Sequence, residues 1–223
     1  MNRTTAYATT TGIAVPTQPG VPVKEACPPL PSPVVRDLRE RGGRSPHALL
    51  FGPQDLAVVT GLPGSGKSTL MRRTVRDARR VDSQDTRDRW DRRMPSWLPY
   101  AVYRPLVRLA HYAGLRRALR TGEGVVVHDC GTQAWVRRWL TREARRRGGT
   151  LHLLLLDVTP EQALAGQRAR GRGVSRYAFL RHRAAATRLL RAIERGDLPR
   201  GCTSAILLDR DAANTLHRIG FTG

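Results

Sequence analysis

The sequence is poor in lysine, in cysteine and in long apolar runs, and each shortage excludes a class of protein. Its 223 residues contain only two lysines, Lys24 and Lys67. The three cysteines, Cys27, Cys130 and Cys202, are far apart and odd in number. They argue against a disulfide scaffold or a zinc site and favour the reducing cytosol. No stretch approaches the ~18 apolar residues of a membrane span, and the first residues lack the pattern of a signal peptide, so we expect a cytoplasmic protein without a membrane partner.

Negative charge is scarce as well. The chain has 18 acidic residues against 39 basic ones, which gives a formal net charge of +21. A surplus of this size attracts nucleic acid or phosphorylated small molecules. Nearly all of the basic residues are arginines, however, and a GC-rich genome produces arginine, alanine and glycine without selection for any partner. Nucleic acid therefore stays an open alternative, and local clusters carry more weight than the total charge.

Length and composition indicate one folded domain preceded by an arm. Prolines are dense before residue 34, and they exclude a helix interior or a paired strand there. We expect a disordered Pro/Thr-rich arm and linker over residues 1–45, with a short polar helix at 34–41. The folded domain is expected over residues 46–223, because 40% of the chain is hydrophobic and the length suits one domain.

Four apolar runs that alternate with amphipathic segments predict the fold class. The runs lie at residues 56–60, 125–127, 151–156 and 205–208. They show no polar alternation, which is typical of strands covered on both faces. The segments between them have helical spacing, and one opens with the Thr159-Pro160-Glu161 start signal. This pattern predicts an α/β fold with a parallel sheet and helices on both faces.

A phosphate-binding motif stands between the first strand and its helix. It satisfies G-x-x-x-x-G-K-[ST], the pattern of a P-loop, and has the strand and helix that this motif needs. Its residues are Gly61, Leu62, Pro63, Gly64, Ser65, Gly66, Lys67, Ser68 and Thr69. Glycines let successive N–H groups approach a polyphosphate, and the helix N-terminus adds partial positive charge. We expect Lys67 to bridge the terminal phosphates and Ser68 to bind Mg²⁺.

The remaining motifs restrict the reaction. GTPases read guanine with N-K-x-D, and a chain with lysine only at positions 24 and 67 has no such reader. AAA+ and ABC engines need a strand that ends in two acids or a signature loop, together with a longer module. Neither motif occurs here. A compact phosphotransferase that uses a nucleoside triphosphate remains.

Three motifs together resemble the polynucleotide-kinase-like and zeta-toxin-like P-loop kinases, small kinases with AAA-type ATP binding. They are the P-loop, Asp85-Thr86-Arg87, and the stretch from Val127 to Thr132; the basic stretch 168–176 fits the same group. The resemblance covers about residues 54–218. It implies sheet order 2-3-1-4-5 and transfer of the γ-phosphoryl group of ATP–Mg²⁺ to an acceptor hydroxyl. We expect the acceptor to be a small molecule rather than nucleic acid.

The same resemblance implies roles for individual residues. Asp85 would accept the proton of the attacking hydroxyl, with Asp82 as a second candidate, and Arg87 would contact the acceptor or a phosphate. Asp129 ends an apolar strand, and would hold the magnesium together with Ser68, through water. The alternatives are a solvated turn of paired charges over residues 82–89 and a cap or turn role for Asp129.

An arginine-rich segment follows the third strand and its helix. Arg168, Arg170 and Arg172 are interrupted by Gly171 and Gly173, which favours a mobile lid that closes over the phosphates. By the resemblance, one arginine stacks on the base of the nucleotide and another reaches the phosphates; which of them does so stays open. A solvated arginine-rich face is the alternative.

The insert over residues 90–120 interleaves aromatic residues with arginines. The resemblance implies that it forms helices that wall the acceptor site, where aromatics and arginines can bind bases and phosphates. The alternative is an amphipathic helical hairpin whose leucines are part of the core. Beside a small-molecule kinase, three functions stay open: a polynucleotide 5′-hydroxyl kinase, a toxin-like kinase of nucleotide-sugar precursors, and a non-catalytic ATP-binding protein.

Overall fold

The computed structural model describes residues 34–128, 134–169, 171 and 173–222. Its strands are β1 (Val34–Asp37), β2 (Ala48–Phe51), β3 (Leu56–Gly61), β4 (Arg79–Val81), β5 (Val125–His128), β6 (Leu151–Leu156), β7 (Cys202–Leu208) and β8 (Arg218–Phe221). Its helices are α1 (Lys67–Thr74), α2 (Ser83–Asp91), α3 (Tyr100–Leu119), α4 (Ala134–Arg146), α5 (Pro160–Arg168), α6 (Arg176–Glu194) and α7 (Arg210–Thr215).

Six of the strands form one parallel sheet in the order β1-β7-β6-β3-β5-β4, and β2 and β8 form a separate parallel pair. The predicted α/β class with a parallel sheet is confirmed. Counted from the P-loop strand β3, the five strands β4-β5-β3-β6-β7 stand in the order 2-3-1-4-5. The full order differs from the expected one because a sixth strand, β1, extends the sheet beyond β7.

The strand β1 corrects two expectations about the start of the domain. Val34–Asp37 is a strand rather than the predicted polar helix, and Val34 pairs with Ser204 of β7. The two adjacent valines suit a strand, and the open edge of β7 provides the partner. Leu38 and Ser45 are both buried, so residues 34–45 belong to the folded domain and not to an arm. Residues 1–33 of the predicted arm lie outside the described residues.

The central strand β3 is buried on both faces. Ala57 and Val59 pack into one apolar cluster with residues of α1 and α7. Leu56 and Val58 pack into a second cluster with residues of α3, α4 and α6. This alternation follows from the period of two along a strand. The loop that follows β3 is therefore anchored at one end to the centre of the core.

The carboxyl ends of three neighbouring strands place the candidate site. β3 ends at Gly61, and Val59 pairs with His128, the last residue of β5. On the other side of β5, Val81 of β4 pairs with Val127. In a parallel sheet these ends lie at one edge, where ligands of open α/β sheets bind.

No helix within the described ranges is long and apolar enough to cross a membrane.

Candidate phosphate-transfer site

The P-loop closes around the ammonium group of Lys67. Nζ of Lys67 donates hydrogen bonds to the carbonyl oxygens of Gly61 at 3.0 Å and Leu62 at 2.6 Å, and lies 3.3 Å from Oγ of Ser65. The side chain is the first residue of α1 and is buried. A full positive charge is thus combined with the partial charge of a helix N-terminus. This arrangement favours a polyphosphate.

Glycine 64 lets the loop lie directly against α5. Its φ is +91°, and a Cβ built there would stand 2.1 Å from the carbonyl oxygen of Ala163. The contact is with backbone, which cannot move aside as a flexible side chain does. Gly64 is therefore required both for its left-handed conformation and for the close approach of two backbone segments.

Asp82 and His128 form a buried pair beside the P-loop. Oδ1 of Asp82 accepts a hydrogen bond from Nδ1 of His128 at 2.8 Å and another from the Gln84 backbone N–H at 2.9 Å, which caps α2. Burial raises the pKa of Asp82, but the hydrogen bond and charge of His128, with smaller contributions from Gln84 and Ser68, hold it well below its ordinary value. Asp82 is therefore a carboxylate at neutral pH.

The oxygens around Ser68 and Asp82 suit a magnesium ion. Oδ2 of Asp82 is buried and has no hydrogen-bond partner among the described residues, and the Ser68 hydroxyl is close enough to lower the pKa of that carboxylate. A hydroxyl and a carboxylate are the hard oxygen donors that Mg²⁺ prefers. The residues present therefore fit the ion. Asp129, which we predicted to be the carboxylate at this position, lies outside the described residues.

Two adjoining cavities open beside this pair. The first, which we call the P-loop cavity, has a volume of about 420 Å³ and is lined by the P-loop together with residues of α2 and His128. The second, the α3 cavity, has a volume of about 570 Å³ and lies among residues of α2, α3 and α6. The residues common to both walls are Gln84, Arg87, His128, Gly173, Val174 and His182.

Of the two acidic candidates on the acceptor side, the structure brings only Asp82 to the P-loop. Asp85 is in neither cavity wall, and its Oδ2 accepts a hydrogen bond from Nη2 of Arg80 at 2.7 Å. Arg87 lines both cavities. Its Nε lies 3.5 Å from Oδ2 of Asp91, and the carbon of its guanidinium group lies 3.9 Å from the centre of the Tyr100 ring. Its position agrees with an acceptor or phosphate contact.

The arginine-rich segment meets the site at its end. Arg168 is the last residue of α5, is exposed, and is in the wall of neither cavity. Arg170 and Arg172 lie outside the described residues. Gln167 is buried; its Nε2 donates to the carbonyl oxygen of Pro63 at 3.0 Å, and its Oε1 accepts from the Val174 backbone N–H at 2.9 Å. One side chain thus ties the P-loop to the residues that follow the predicted lid.

Sequence reasoning missed several polar residues of the cavity walls, among them Gln84, Asp88, His128 and His182. A signal for two of them was present. Asp82 caps α2, so the residues that follow it are helical. Gln84 and Asp88 are four residues apart and therefore share one face of this helix with Arg87, whereas Asp85 lies on another face. His128 stands out as the polar end of an otherwise apolar strand. His182 gives no local signal, because its position depends on how α6 packs.

The insert forms one long helix instead of a hairpin. Leu115 and Leu119 of α3 are buried in the core, but Leu106 and Leu109 are exposed. The face of α3 toward the α3 cavity carries arginines, a histidine and tyrosines: Tyr100, Arg104, Arg108, His111 and Tyr112. The expectation of a helix beside the acceptor site agrees with this placement. Of the four leucines that the alternative hairpin would place in the core, two are buried.

Comparison with known proteins decides the family. A family profile described as an AAA domain matches residues 56–195. The chain belongs to this family. The AAA domain runs from the first residue of β3 to the end of α6, and so includes the P-loop, both cavities and the arginine-rich segment. The resemblance to P-loop kinases with AAA-type ATP binding is confirmed at the level of family and fold. No curated protein matches the chain.

Solved structures show similar folds. A chain of the PezAT chromosomal toxin–antitoxin system of Streptococcus pneumoniae is 16% identical, with 78% of this chain and 73% of that chain covered and a TM-score of 0.50. A chain of the Pnkp1/Rnl/Hen1 RNA repair complex is 18% identical, with 66% and 47% covered and a TM-score of 0.47. A gluconokinase from Sinorhizobium meliloti 1021 is 18% identical, with 74% and 92% covered and a TM-score of 0.39. Because the first of these structures is only 16% identical, its similarity shows the P-loop NTPase fold and nothing beyond the fold.

Proposed function

We propose that this AAA domain protein is an ATP-dependent phosphotransferase that moves the γ-phosphoryl group to an acceptor hydroxyl. The observation that carries the proposal is the pair of adjoining cavities with shared walls. One contains the P-loop with its enclosed ammonium group, and the other is built from helices outside the loop. A protein that only hydrolyses or senses a nucleotide needs the first cavity alone, whereas transfer between two substrates needs both.

The P-loop residues hold the phosphate chain. The ammonium group of Lys67 and the free N–H groups at the start of α1 bind and orient the terminal phosphates. Ser68 and Asp82 would hold Mg²⁺, which neutralises charge on the phosphate oxygens when it is bound. Arg87, in the wall between the cavities, is placed to steady the transferred group or a phosphate of the acceptor.

The proton of the acceptor hydroxyl needs a carboxylate within reach of both substrates. Asp85 is paired with Arg80 outside both walls, and Asp82 is buried behind His128. Asp88 lies in the wall of the P-loop cavity, on the face of α2 that carries Gln84 and Arg87. We assign proton acceptance to Asp88 in place of Asp85, with Asp82 holding the metal and orienting His128.

The function is tested in two steps on the full chain. Calorimetric titration with ATP is expected to show uptake that depends on Mg²⁺ and is abolished in Lys67→Ala. Transfer is then measured with γ-labelled ATP and a panel of metabolites and single-stranded oligonucleotides. Labelled metabolites support the proposal, and exclusive labelling of oligonucleotides would favour a polynucleotide kinase. Binding of ATP without transfer to any acceptor would instead identify a non-catalytic nucleotide-binding protein.

A further inference from the structure

The described wall of the α3 cavity is basic. Arg104 and Arg108 of α3 and Arg181 of α6 line it, together with Arg87, and none of the described residues in this wall is an aspartate or a glutamate. Arg87 is paired with Asp91. No ion pair joins any of the other three to an acid among the described residues. Three guanidinium groups around one concave surface, without counter-charges from the described part of the chain, favour an anionic ligand.

Buried polar atoms in the same wall also lack partners. Nδ1 of His111, Nε2 of His128 and Nδ1 of His182 are each buried, and none is hydrogen-bonded within the part of the chain that the structure describes. All three residues line the α3 cavity. Because buried polar groups are normally paired, a group of three around one cavity indicates that a polar ligand supplies the missing partners.

His111 and His182 add no positive charge to the wall, unlike the arginines. Burial, with a smaller contribution from the charge of His128, lowers the pKa of His111 to about 4. Burial and the charges of Arg181 and Lys67 lower the pKa of His182 as well. Both imidazoles are therefore neutral at pH 7. Ser175 and Ala178, at the start of the long helix α6, also line the cavity, and that helix end adds partial positive charge.

We propose that the α3 cavity binds the phosphate ester of a small phosphorylated acceptor, such as a nucleotide or a sugar phosphate. Arg104, Arg108 and Arg181 would hold the phosphate, since one guanidinium group can donate two parallel hydrogen bonds to two phosphate oxygens. The volume of about 570 Å³ lies within the range of small-molecule sites. The inference rests on the proposed function, and it names the class of acceptor.

The transfer forms one phosphorus–oxygen bond and breaks another. A second group of the acceptor, a hydroxyl, is directed through the shared wall toward the P-loop cavity. Its oxygen bonds to the γ-phosphorus of ATP, the bond from that phosphorus to the β–γ bridging oxygen breaks, and ADP leaves. The hydroxyl proton passes to Asp88. The product is an acceptor that carries two phosphate groups.

The test compares matched probes in binding and in transfer. Binding of uridine and UMP, and of glucose, glucose 6-phosphate and gluconate, is measured by calorimetry with the P-loop saturated by Mg²⁺ and a non-hydrolysable ATP analogue. We expect UMP or glucose 6-phosphate to bind at least about tenfold more tightly than its neutral partner, and the preference to shrink as ionic strength rises. The two phosphorylated probes separate a nucleotide acceptor from a sugar phosphate.

Variants locate the effect. The triple variant Arg104→Gln, Arg108→Gln, Arg181→Gln is expected to lose the preference. The control Arg116→Gln, Arg188→Gln alters exposed arginines of the same two helices that line neither cavity, and it keeps the preference. Thermal denaturation of each variant shows that it is folded; all five side chains are exposed, so little stability depends on them.

The outcomes separate the two claims. Equal binding of neutral and phosphorylated probes, a preference that survives in the triple variant, selective binding of gluconate, or no binding of either phosphorylated probe would overturn the inference. Phosphate-selective binding in the α3 cavity without transfer to any acceptor would refute the proposed function and leave the binding site standing. Transfer to neutral acceptors alone would support the proposed function and refute the phosphate-binding site in the α3 cavity.

Discussion

Nδ1 of His128 lies 2.8 Å from Oδ1 of Asp82, across the ends of two neighbouring strands. Nδ1 of His128 donates a hydrogen bond to the carboxylate, and Nε2, on the other side of the ring, has no hydrogen-bond partner among the described residues. The pair joins the metal-binding side of the site, at Ser68, to the wall that the two cavities share. Asp82 and His128 therefore act as one unit in the predictions for this region.

The first prediction concerns Asp82→Asn. The amide still accepts hydrogen bonds but removes the charge beside Ser68, so the half-saturating Mg²⁺ concentration for ATP binding is expected to rise about 10–100-fold, as in other variants that disturb a metal site. Calorimetric titrations of ATP at a series of Mg²⁺ concentrations measure it. Asp85→Asn is the control, and an equal rise there would contradict the placement of the metal.

The second prediction separates two carboxylates of one helix. Asp88→Asn is expected to lower kcat about 10²–10⁴-fold, the range for loss of a proton acceptor. Asp85→Asn breaks only a partly exposed ion pair with Arg80, and changes kcat by less than about threefold. The comparison uses steady-state transfer with the best acceptor of the panel. A reversed order would restore Asp85 to the catalytic role.

The third prediction compares two glycines of the P-loop. Both have positive φ, but a Cβ at Gly66 meets no atom within 4 Å, whereas one at Gly64 meets the Ala163 carbonyl oxygen at 2.1 Å. Gly66→Ala is expected to lower the free energy of unfolding by about 1–2 kcal/mol through strain alone. Gly64→Ala adds about 1–3 kcal/mol of overpacking. Urea denaturation measures both; equal losses would mean that α5 yields to the added methyl group.

The fourth prediction tests the bridge made by Gln167. Gln167→Ala removes two partly buried hydrogen bonds, to the carbonyl of Pro63 and from the N–H of Val174, and the loss of such bonds costs about 0.5–1.5 kcal/mol each. Gln167→Glu keeps the acceptor for the Val174 N–H but places a carboxylate against the Pro63 carbonyl oxygen. We therefore expect it to weaken the bridge at least as much as Gln167→Ala does. In both variants of Gln167 we expect KM for ATP to rise and tryptic cleavage between residues 168 and 176 to become faster. Steady-state kinetics measures the first, and mass spectrometry locates the cleavage.

The control for Gln167 is on the same helix. Gln162→Ala removes a capping hydrogen bond to the Thr159 backbone and touches neither the P-loop nor Val174. It is expected to leave both KM and tryptic cleavage unchanged. Slow cleavage in Gln167→Ala would show that other contacts hold the segment.

The fifth prediction concerns acid stability. Asp55 accepts hydrogen bonds from His152, Thr150 and Gly52; burial raises its pKa, but these bonds outweigh burial and hold the pKa below its ordinary value. The folded pKa is thus lower than the unfolded value of about 4. The stabilisation is complete above that value and is lost as the pH falls through the folded pKa.

We therefore expect Asp55→Asn to be about 2 kcal/mol less stable than the parent at pH 7, with the difference closing as the pH falls below the unfolded value of about 4 and through the lower folded pKa. Denaturation curves across that range measure it. Asp197→Asn, at an exposed acid paired with Arg195, is the matched control and should follow the parent at every pH. A constant difference for Asp55→Asn would show that the carboxylate charge does not contribute.

Much of the fold could be predicted because its signals are local. Leu56–Gly61 is apolar along its whole length and becomes the strand buried on both faces, and the P-loop motif carries its own conformation. The strand β1 has no such signal. Its four residues are mostly exposed, and they form a strand only because β7, far away in the chain, offers an open edge.

The site was predicted less completely, and the reason is the direction of side chains. The acidic cluster over residues 82–89 was recognised, but which carboxylate faces the P-loop depends on where α2 begins. The cap at Asp82 fixes that start, and thereby turns Asp88 to the cavity and Asp85 to Arg80. The histidines are set by packing between helices that are distant in sequence, which no short pattern encodes.

The pairing of β1 with β7 has a consequence for biosynthesis. Ser204, the partner of Val34, is synthesised on the order of ten seconds after it at typical elongation rates. β2 waits in the same way for β8. During that interval the nascent chain carries β1 and β2 without the strands that pair with them in the folded protein.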